Sequence, residues 1–86
     1  MHVLFHKTFS KSYRKLPAQT QERADARVIL FIKNSESPLL RKHALKGAYT
    51  GYWSIDITGD VRAVYEWLDS DTVRFLDIGT HSELYG

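Results

Sequence analysis

The sequence predicts an α+β fold in which two helices pack on a small, mainly antiparallel sheet, in the order β-α-α-β-β-β. Three observations support this prediction. Residues 18–33 carry apolar side chains at helical spacing and include neither Gly nor Pro. Residues 52–58 alternate between apolar and polar side chains, as a half-buried strand does. Two more strand-like stretches follow, each after a turn of Gly, Asp or Ser residues, so the three strands form a meander.

The first half of the chain is predicted to hold one strand and both helices. Residues 3–5 form the strand, which we expect to join the sheet. Thr8 or Ser10 can cap the first helix. Pro17 stops that helix and fits the first turn of the second helix, over 18–33. Residues 34–38 end the second helix.

The second half is predicted to hold strands at 52–58, 61–68 and 72–78. In the first of them, Trp53 and Ile55 share one face while Ser54 and Asp56 share the other. Residues 79–86 are not strand-like, yet they contain a cluster of polar and aromatic side chains that a frayed end does not need.

Length and composition exclude several classes of protein. With 86 residues, the chain is expected to form one domain over 1–86. It has no Cys, so neither disulfides nor thiolate metal sites stabilise it. No apolar run approaches the roughly 20 residues of a membrane span, and the first residues do not resemble a signal peptide. We therefore expect a cytoplasmic protein that does not contact membranes.

Charge is distributed unevenly along the chain, although the net charge is only +2. Residues 1–50 contain ten Lys or Arg against three Asp or Glu, whereas residues 51–86 contain two against seven. The basic half indicates an anionic partner.

Taken singly, the four His residues are weak signals. His2 and His6 flank the first strand and are interpreted as exposed residues at its edge. His43 lies in a basic stretch, and His81 lies beyond the last strand. Two His separated by 38 positions, with scattered Asp, do not form a metal motif, so neither a metal nor another cofactor is expected.

A strand face bearing Ser54, Asp56 and Arg62, with Asp60 at its edge, would be unusually polar. Periodicity alone favours the interpretation that this face is solvated, because antiparallel sheets often expose one face to water.

Residues 43–86 resemble the RelE/ParE superfamily of bacterial toxins. The resemblance lies in LKGxxxGYWSxxIT over 45–58, followed by RxVY over 62–65. Within it, GYWS at 51–54 and the strand of Arg62 look like YoeB-type toxins. The segment HAL at 43–45 and the ending GTHSELYG at 79–86 look like YafQ-type toxins.

The resemblance implies the RelE/ParE-like fold and a type II toxin that cuts mRNA, usually in the ribosomal A site. His81 falls where these toxins have a catalytic His, and His43 falls where YafQ-type toxins have His and YoeB-type toxins have Glu. Arg62 matches an Arg that YoeB-type toxins use against phosphate, and Asp60 matches an Asp of the YafQ-type active site. Tyr85 replaces a Phe of YafQ-type toxins.

The sequence also differs from YafQ-type toxins at two further positions of the expected active site. YafQ-type toxins place an Asp and a His where this chain has Ser54 and Asp56, so the full YafQ constellation is absent. Which residue acts as base and which as acid therefore stays open.

Metal-independent cleavage needs a base for the ribose 2′-OH, an acid for the 5′-oxygen and cations around the phosphorane. Our hypothesis assigns His43 as the base and His81 as the acid, because imidazole titrates near neutral pH. Arg62, with Lys46, would stabilise the transition state. The remaining expected site residues orient these groups or contact RNA: Asp56, Asp60, Ser54 and Tyr85.

The basic helices are expected to bind ribosomal RNA through phosphate contacts. The residues expected to do so are Lys7, Lys11, Arg14, Lys15, Arg23 and Arg27. The expected partners are mRNA, the ribosome and a cognate antitoxin protein, with operator DNA bound only through the antitoxin.

Two alternatives share this fold. One is a ParE-like inhibitor of gyrase that does no RNA chemistry. The other is a catalytically degenerate toxin that acts only in a repressor complex with its antitoxin.

Overall fold

The computed structural model describes all 86 residues and contains five strands and three helices. The strands are β1 (His2–Phe5), β2 (His43–Ala44), β3 (Trp53–Asp56), β4 (Val61–Asp69) and β5 (Thr72–Thr80). The helices are α1 (Lys7–Arg14), α2 (Ala18–Lys33) and α3 (His81–Tyr85). Two 3₁₀ turns, Pro38–Leu40 and Gly47–Tyr49, lie between α2 and β3. The predicted order is confirmed, with the short β2 and α3 added to it.

The five strands form one sheet in the order β1-β5-β4-β3-β2. Strand β1 runs parallel to β5, and the other neighbours are antiparallel. A register shift in the β4–β5 pairing leaves Leu76 as an extra residue on β5, because Val64 pairs with Asp77 while Tyr65 pairs with Phe75. The shift keeps apolar side chains on one face on both sides of the bulge.

The start of α1 differs from the prediction. His6 is the N-cap, and its Nδ1 accepts a hydrogen bond from the backbone N–H of Thr8 at 3.1 Å. Thr8 and Ser10 therefore lie inside the helix, and the expectation that one of them caps it is wrong. An imidazole nitrogen can replace the usual hydroxyl or carboxylate because capping needs only an acceptor near the free N–H groups.

Helices α1 and α2 cover one face of the sheet and form an aromatic core with it. Phe31 of α2 is fully buried, with its ring centroid 4.9 Å from that of Tyr65 and 5.5 Å from that of Phe75. Phe9 of α1 lies 5.8 Å from the same Phe75 ring. Burying each such side chain stabilises the fold by about 1.5–3 kcal/mol. We call this helix-covered side of the sheet the core face.

None of the three helices combines the length and the apolar character that a membrane span requires.

Candidate active site

The opposite side of the sheet, which we call the site face, brings together side chains from distant parts of the sequence. Directly paired residues point to the same face, so the strand register groups them in rows. One row joins Asp56 on β3 to Arg62 on β4 and Gly79 on β5. The next row joins His43 on β2 to Ser54 on β3.

Asp56 is the centre of the first row. Its Oδ1 lies 3.3 Å from Nε of Arg62, and its Oδ2 lies 3.4 Å from Nε of Arg41. Only 18% of the Asp56 side chain and 27% of the Arg62 side chain are exposed. A carboxylate so placed holds two guanidinium groups beside each other.

Asp60, the other candidate carboxylate, is not part of this cluster. It lies exposed at the turn before β4, where its backbone N–H donates to the Thr58 hydroxyl at 3.3 Å. No cation lies within ion-pair distance of its carboxylate. Of the two Asp residues expected to orient an Arg, Asp56 is the one that contacts Arg62.

The local backbone fixes the tautomer of His43. Its Nδ1 lies 3.0 Å from the carbonyl oxygen of Arg41. A carbonyl only accepts, so Nδ1 must carry the proton, and the lone pair of the neutral ring sits on Nε2. His43 is exposed, and its Nε2 is therefore available to take a proton from a bound molecule.

Helix α3 positions His81 at the end of β5. Thr80 is its N-cap: the hydroxyl accepts from the Glu83 backbone, and the Glu83 carboxylate accepts from the Thr80 backbone at 2.7 Å. This reciprocal capping box fixes where the helix begins. Gly79 is buried beneath it, and a Cβ there would lie 3.0 Å from Oε1 of Glu83. The absence of a side chain at position 79 lets the helix approach the sheet.

Tyr85 contacts aromatic rings from two different segments of the chain. Its ring centroid lies 4.9 Å from that of His81 and 5.1 Å from that of Tyr49, edge to face in both cases. Burial raises the pKa of its phenol, and the neighbouring Ser54 hydroxyl and Arg62 guanidinium lower it by less. His81 and Arg62 therefore both lie next to the same half-buried tyrosine.

The expectation of a solvated site face is wrong at Ser54, which is fully buried. Helix α3 folds back over this part of the sheet, and Tyr85 lies against Ser54. The Ser54 and Tyr85 hydroxyls both lack a partner with good hydrogen-bond geometry. Buried polar groups without partners are uncommon, and this face holds two of them side by side.

Lys46 lies at the edge of the cluster, on the segment between β2 and β3. It is exposed and precedes the 3₁₀ turn Gly47–Tyr49, and its carbonyl accepts from the Tyr49 backbone at 3.2 Å. The turn brings the Tyr49 ring onto Tyr85. Lys46 thus begins the loop that flanks the site, without a side-chain contact to it.

The basic residues of α1 and α2 lie apart from this cluster, on helices that cover the core face. Five of the six are exposed, whereas Arg27 is half-buried and its Nε has no hydrogen-bond partner. The structure therefore separates the basic helices from the site face by the thickness of the sheet.

Three residues of the cluster were not predicted from the sequence: Arg41, Tyr49 and Glu83. The role of Glu83 could have been predicted from the sequence, because Thr80-x-x-Glu83 has the spacing of a capping box. Arg41 stands two residues before His43, the spacing that sets two side chains on one side of a strand, although Arg41 itself is not in the strand. Tyr49 has no such signal, since its position depends on a 3₁₀ turn of three residues.

Comparison with known proteins identifies the family of the chain and its fold. The family described as "Bacterial toxin of type II toxin-antitoxin system, YafQ" matches residues 1–86. The structure of YafQ from E. coli strain BL21(DE3) superposes with a TM-score of 0.80 at 23% identity, covering 98% of this chain and 97% of that one. A YoeB/ParE toxin from Agrobacterium tumefaciens gives 0.78 at 22% identity, covering 94% and 99%. At these identities, the two structures show the shared fold.

A third structure, the RelB–RelE antitoxin–toxin complex from Methanococcus jannaschii, gives a TM-score of 0.71 at 27% identity, covering 95% of this chain and 94% of that one. No curated protein sequence matches the chain significantly. The RelE/ParE-like α+β fold predicted from the sequence is confirmed by these superpositions. Since the family match spans every residue, the chain belongs to the YafQ family of type II toxins, within the RelE/ParE superfamily.

Proposed function

We propose that this toxin is an endoribonuclease that cuts mRNA on the ribosome and so inhibits translation. The observation that supports it is the contact chain on the site face. His43 pairs with Ser54 in the sheet, Ser54 lies against Tyr85, and Tyr85 contacts His81 and lies near enough to Arg62 to sense its charge. Two imidazoles and a guanidinium on one face of the sheet are the groups that phosphodiester cleavage by a ribose hydroxyl requires.

RNA supplies its own nucleophile in this reaction. His43 Nε2 accepts the proton of the 2′-OH as the 2′-oxygen attacks the adjacent phosphorus. The bond from phosphorus to the 5′-oxygen then breaks, and His81 gives that oxygen its proton. The products are a 2′,3′-cyclic phosphate and a free 5′-hydroxyl. Atoms and charge balance, and each His ends in the protonation state from which the other began.

Arg62 is proposed to stabilise the negative charge that builds on the phosphorane. Its guanidinium is held by Asp56, so it is oriented before the substrate arrives, and such preorganised charge is worth more than mobile charge. Lys46 at the edge of the site would bind a neighbouring phosphate. Asp60 is proposed as an active-site residue on the resemblance alone, since it lies exposed at the turn before β4 and pairs with no cation of the site.

Tyr85 and Ser54 are proposed to shape the substrate surface. The Tyr85 ring, with Tyr49 at its edge, offers an aromatic surface on which an unstacked base can rest. Ser54 supports that ring from below.

The basic helices α1 and α2 are proposed to hold ribosomal RNA while the site face meets the mRNA. Phosphate contacts by Lys and Arg give affinity that falls with salt and does not depend on sequence. Placing these cations on the far side of the sheet allows the two surfaces to bind different strands at once. The ribosome, and hence the cytoplasm, is the proposed place of action.

A cognate antitoxin is the proposed protein partner. An apolar groove of about 550 Å³ runs between α1, α2 and β1, and it is lined by Phe5, Phe9, Tyr13, Val28 and Ile29 among others. Phe5 is 47% exposed and Ile29 is 53% exposed, and β1 is an edge strand with one side unpaired. An antitoxin segment with apolar side chains would cover both. Ile29→Asp should weaken co-purification with the product of a neighbouring open reading frame, and unchanged capture would contradict this placement.

The catalytic proposal is tested by single-turnover cleavage of mRNA on programmed ribosomes. His81→Ala should slow cutting by about 10²–10⁴-fold, the usual contribution of a general acid. Ser82→Ala is the matched control, because Ser82 is exposed in the same helix and has no assigned role. Both variants should unfold at the same temperature.

Near-wild-type cutting by His81→Ala would contradict the assignment. Expression in cells separates the alternatives: a DNA-damage response without translation arrest would favour a gyrase inhibitor. No growth defect in the absence of antitoxin would favour a degenerate toxin.

A further inference from the structure

We propose that Arg41 is a second phosphate-binding residue of the active site, which exchanges Asp56 for an RNA phosphate next to the one that Arg62 contacts. The inference rests on the proposed ribonuclease function and adds a residue to its site. Four observations support it: strand register, ion-pair geometry, backbone conformation and exposure.

Arg41 precedes β2, and its side chain reaches the row that contains Asp56 and Arg62. Strand β2 pairs His43 with Ser54 and Ala44 with Trp53. Continuing this antiparallel register two residues beyond His43 sets Arg41 opposite Asp56, which in turn pairs with Arg62. The ladder itself ends at His43, yet the Arg41 side chain reaches the carboxylate that the register predicts.

The ion pairs place an anion between two guanidinium groups. Each oxygen of Asp56 faces one arginine, with Oδ2 at 3.4 Å from Arg41 Nε and Oδ1 at 3.3 Å from Arg62 Nε. Both contacts use Nε, and Oδ1 lacks good hydrogen-bond geometry. The terminal amino groups of both arginines are thus left to bind a second anion, and phosphate oxygens match the guanidinium fork.

The backbone of Arg41 is held in an unusual conformation. Its φ of 48° and ψ of 48° are left-handed, and the other residues with positive φ are the glycines Gly47, Gly51 and Gly86. A side chain at such a position is strained and persists where the surroundings fix it, which is common at functional sites. Here the strained residue also accepts the Nδ1–H of His43 through its carbonyl. The backbone carbonyl of Arg41 therefore orients His43, while its side chain contacts Asp56 of the same site.

The exposure of the two arginines differs. The Arg41 side chain is 78% exposed, whereas that of Arg62 is 27% exposed. An exposed ion pair is weak, so a phosphate can replace Asp56 as the partner of Arg41 at little cost. Its neighbour Lys42 is engaged elsewhere, by an ion pair with Glu36 and by the Trp53 ring 5.4 Å away. Of the two cations that precede His43, Arg41 is the one that reaches the site face.

Arg41→Gly tests the side chain alone, because Gly adopts the left-handed backbone freely and keeps the carbonyl that orients His43. The measurement is single-turnover cleavage on programmed ribosomes over a range of toxin and salt concentrations. Loss of one phosphate contact should lower the slope of log affinity against log salt by about 1 and weaken half-saturation by about tenfold near 0.1 M salt. Arg41→Lys should restore part of the affinity.

Lys33→Ala is the charge-matched control, since Lys33 is exposed at the end of α2 and has no assigned role. If Arg41→Gly shows the same slope and half-saturation as Lys33→Ala, Arg41 is only an ion-pair partner of Asp56 and the inference is wrong. If His81→Ala and Arg62→Ala also cut like the wild type, the proposed function itself fails. Suppose instead that His81→Ala and Arg62→Ala no longer cleave mRNA, while Arg41→Gly keeps the wild-type slope of log affinity against log salt. The proposed role of Arg41 is then refuted, and the proposed function stands.

Discussion

The two faces of the sheet are built on different principles. On the core face, Phe31, Tyr65 and Phe75 are fully buried and their rings contact one another. On the site face, Ser54 and Tyr85 bury hydroxyls that have no hydrogen-bond partner. Arg41, which contacts that face, is held with a left-handed backbone.

In this chain of 86 residues, one face of the sheet stabilises the fold and the other carries the proposed active site. Each buried polar group without a partner costs about 1–3 kcal/mol. The site face bears that cost at Ser54 and Tyr85 and the core face bears it at Tyr65, and the burial of apolar side chains on the core face offsets both. Truncation of apolar side chains on the core face should therefore reduce stability, whereas changes that remove or displace a catalytic side chain on the site face should reduce cleavage.

The largest effect on stability is expected from Phe31→Ala. It removes a fully buried ring that contacts Tyr65 and Phe75, so the free energy of unfolding should fall by about 3–5 kcal/mol. Ile32→Ala, the next residue on α2 and 45% exposed, should stay within about 0.5 kcal/mol of the wild type. Urea denaturation measures both. Equal losses in the two variants would mean that α2 is not anchored by Phe31.

A smaller effect is expected from Gly79→Ala on the site face. The new Cβ would lie 3.0 Å from Oε1 and 3.3 Å from Cβ of Glu83, so it should disturb the capping box that positions His81. Losing a cap costs about 1 kcal/mol. We expect slower single-turnover cleavage with only this modest loss of stability.

Gly59→Ala is the control for that variant, since a Cβ at Gly59 meets nothing within 4 Å. Cleavage by Gly79→Ala at the rate of Gly59→Ala would show that the placement of α3 does not limit the reaction.

The smallest effects are expected from removing one phenol oxygen on each face. Burial raises the pKa of both the Tyr65 and the Tyr85 phenol, and neither hydroxyl has a partner with good hydrogen-bond geometry. Tyr65→Phe and Tyr85→Phe should each be neutral or stabilise the fold by up to about 1 kcal/mol. Cleavage should change little in either variant. A large loss of rate in Tyr85→Phe alone, measured in single turnover, would mean that its hydroxyl acts on the RNA.

Much of the fold could be predicted because its signals are local. The helix over 18–33 has the predicted bounds, since an uninterrupted apolar stripe follows Pro17. Strands β4 and β5 run one or two residues beyond their predicted ends. Strand β2 could not be predicted, because two residues are too few to show alternation.

Less of the site could be predicted, because it depends on register and on what covers each face. Alternation places Ser54 and Asp56 on one side of β3, but it cannot show that α3 covers Ser54. Nor does it show that Asp56 rather than Asp60 contacts Arg62. Arg41 joins the site only through the pairing of two short strands. His43 and His81 were predicted as catalytic residues from the resemblance to known toxins, and their catalytic roles remain predictions.

The most direct test of the account is cleavage of a ribosome-bound mRNA that carries a single 2′-deoxy nucleotide on the 5′ side of the scissile bond. The unmodified mRNA should be cut to a 2′,3′-cyclic phosphate and a 5′-hydroxyl, and the 2′-deoxy mRNA should stay intact at that bond. Cutting of the 2′-deoxy mRNA at the same rate would contradict the proposal that the site face activates a ribose hydroxyl.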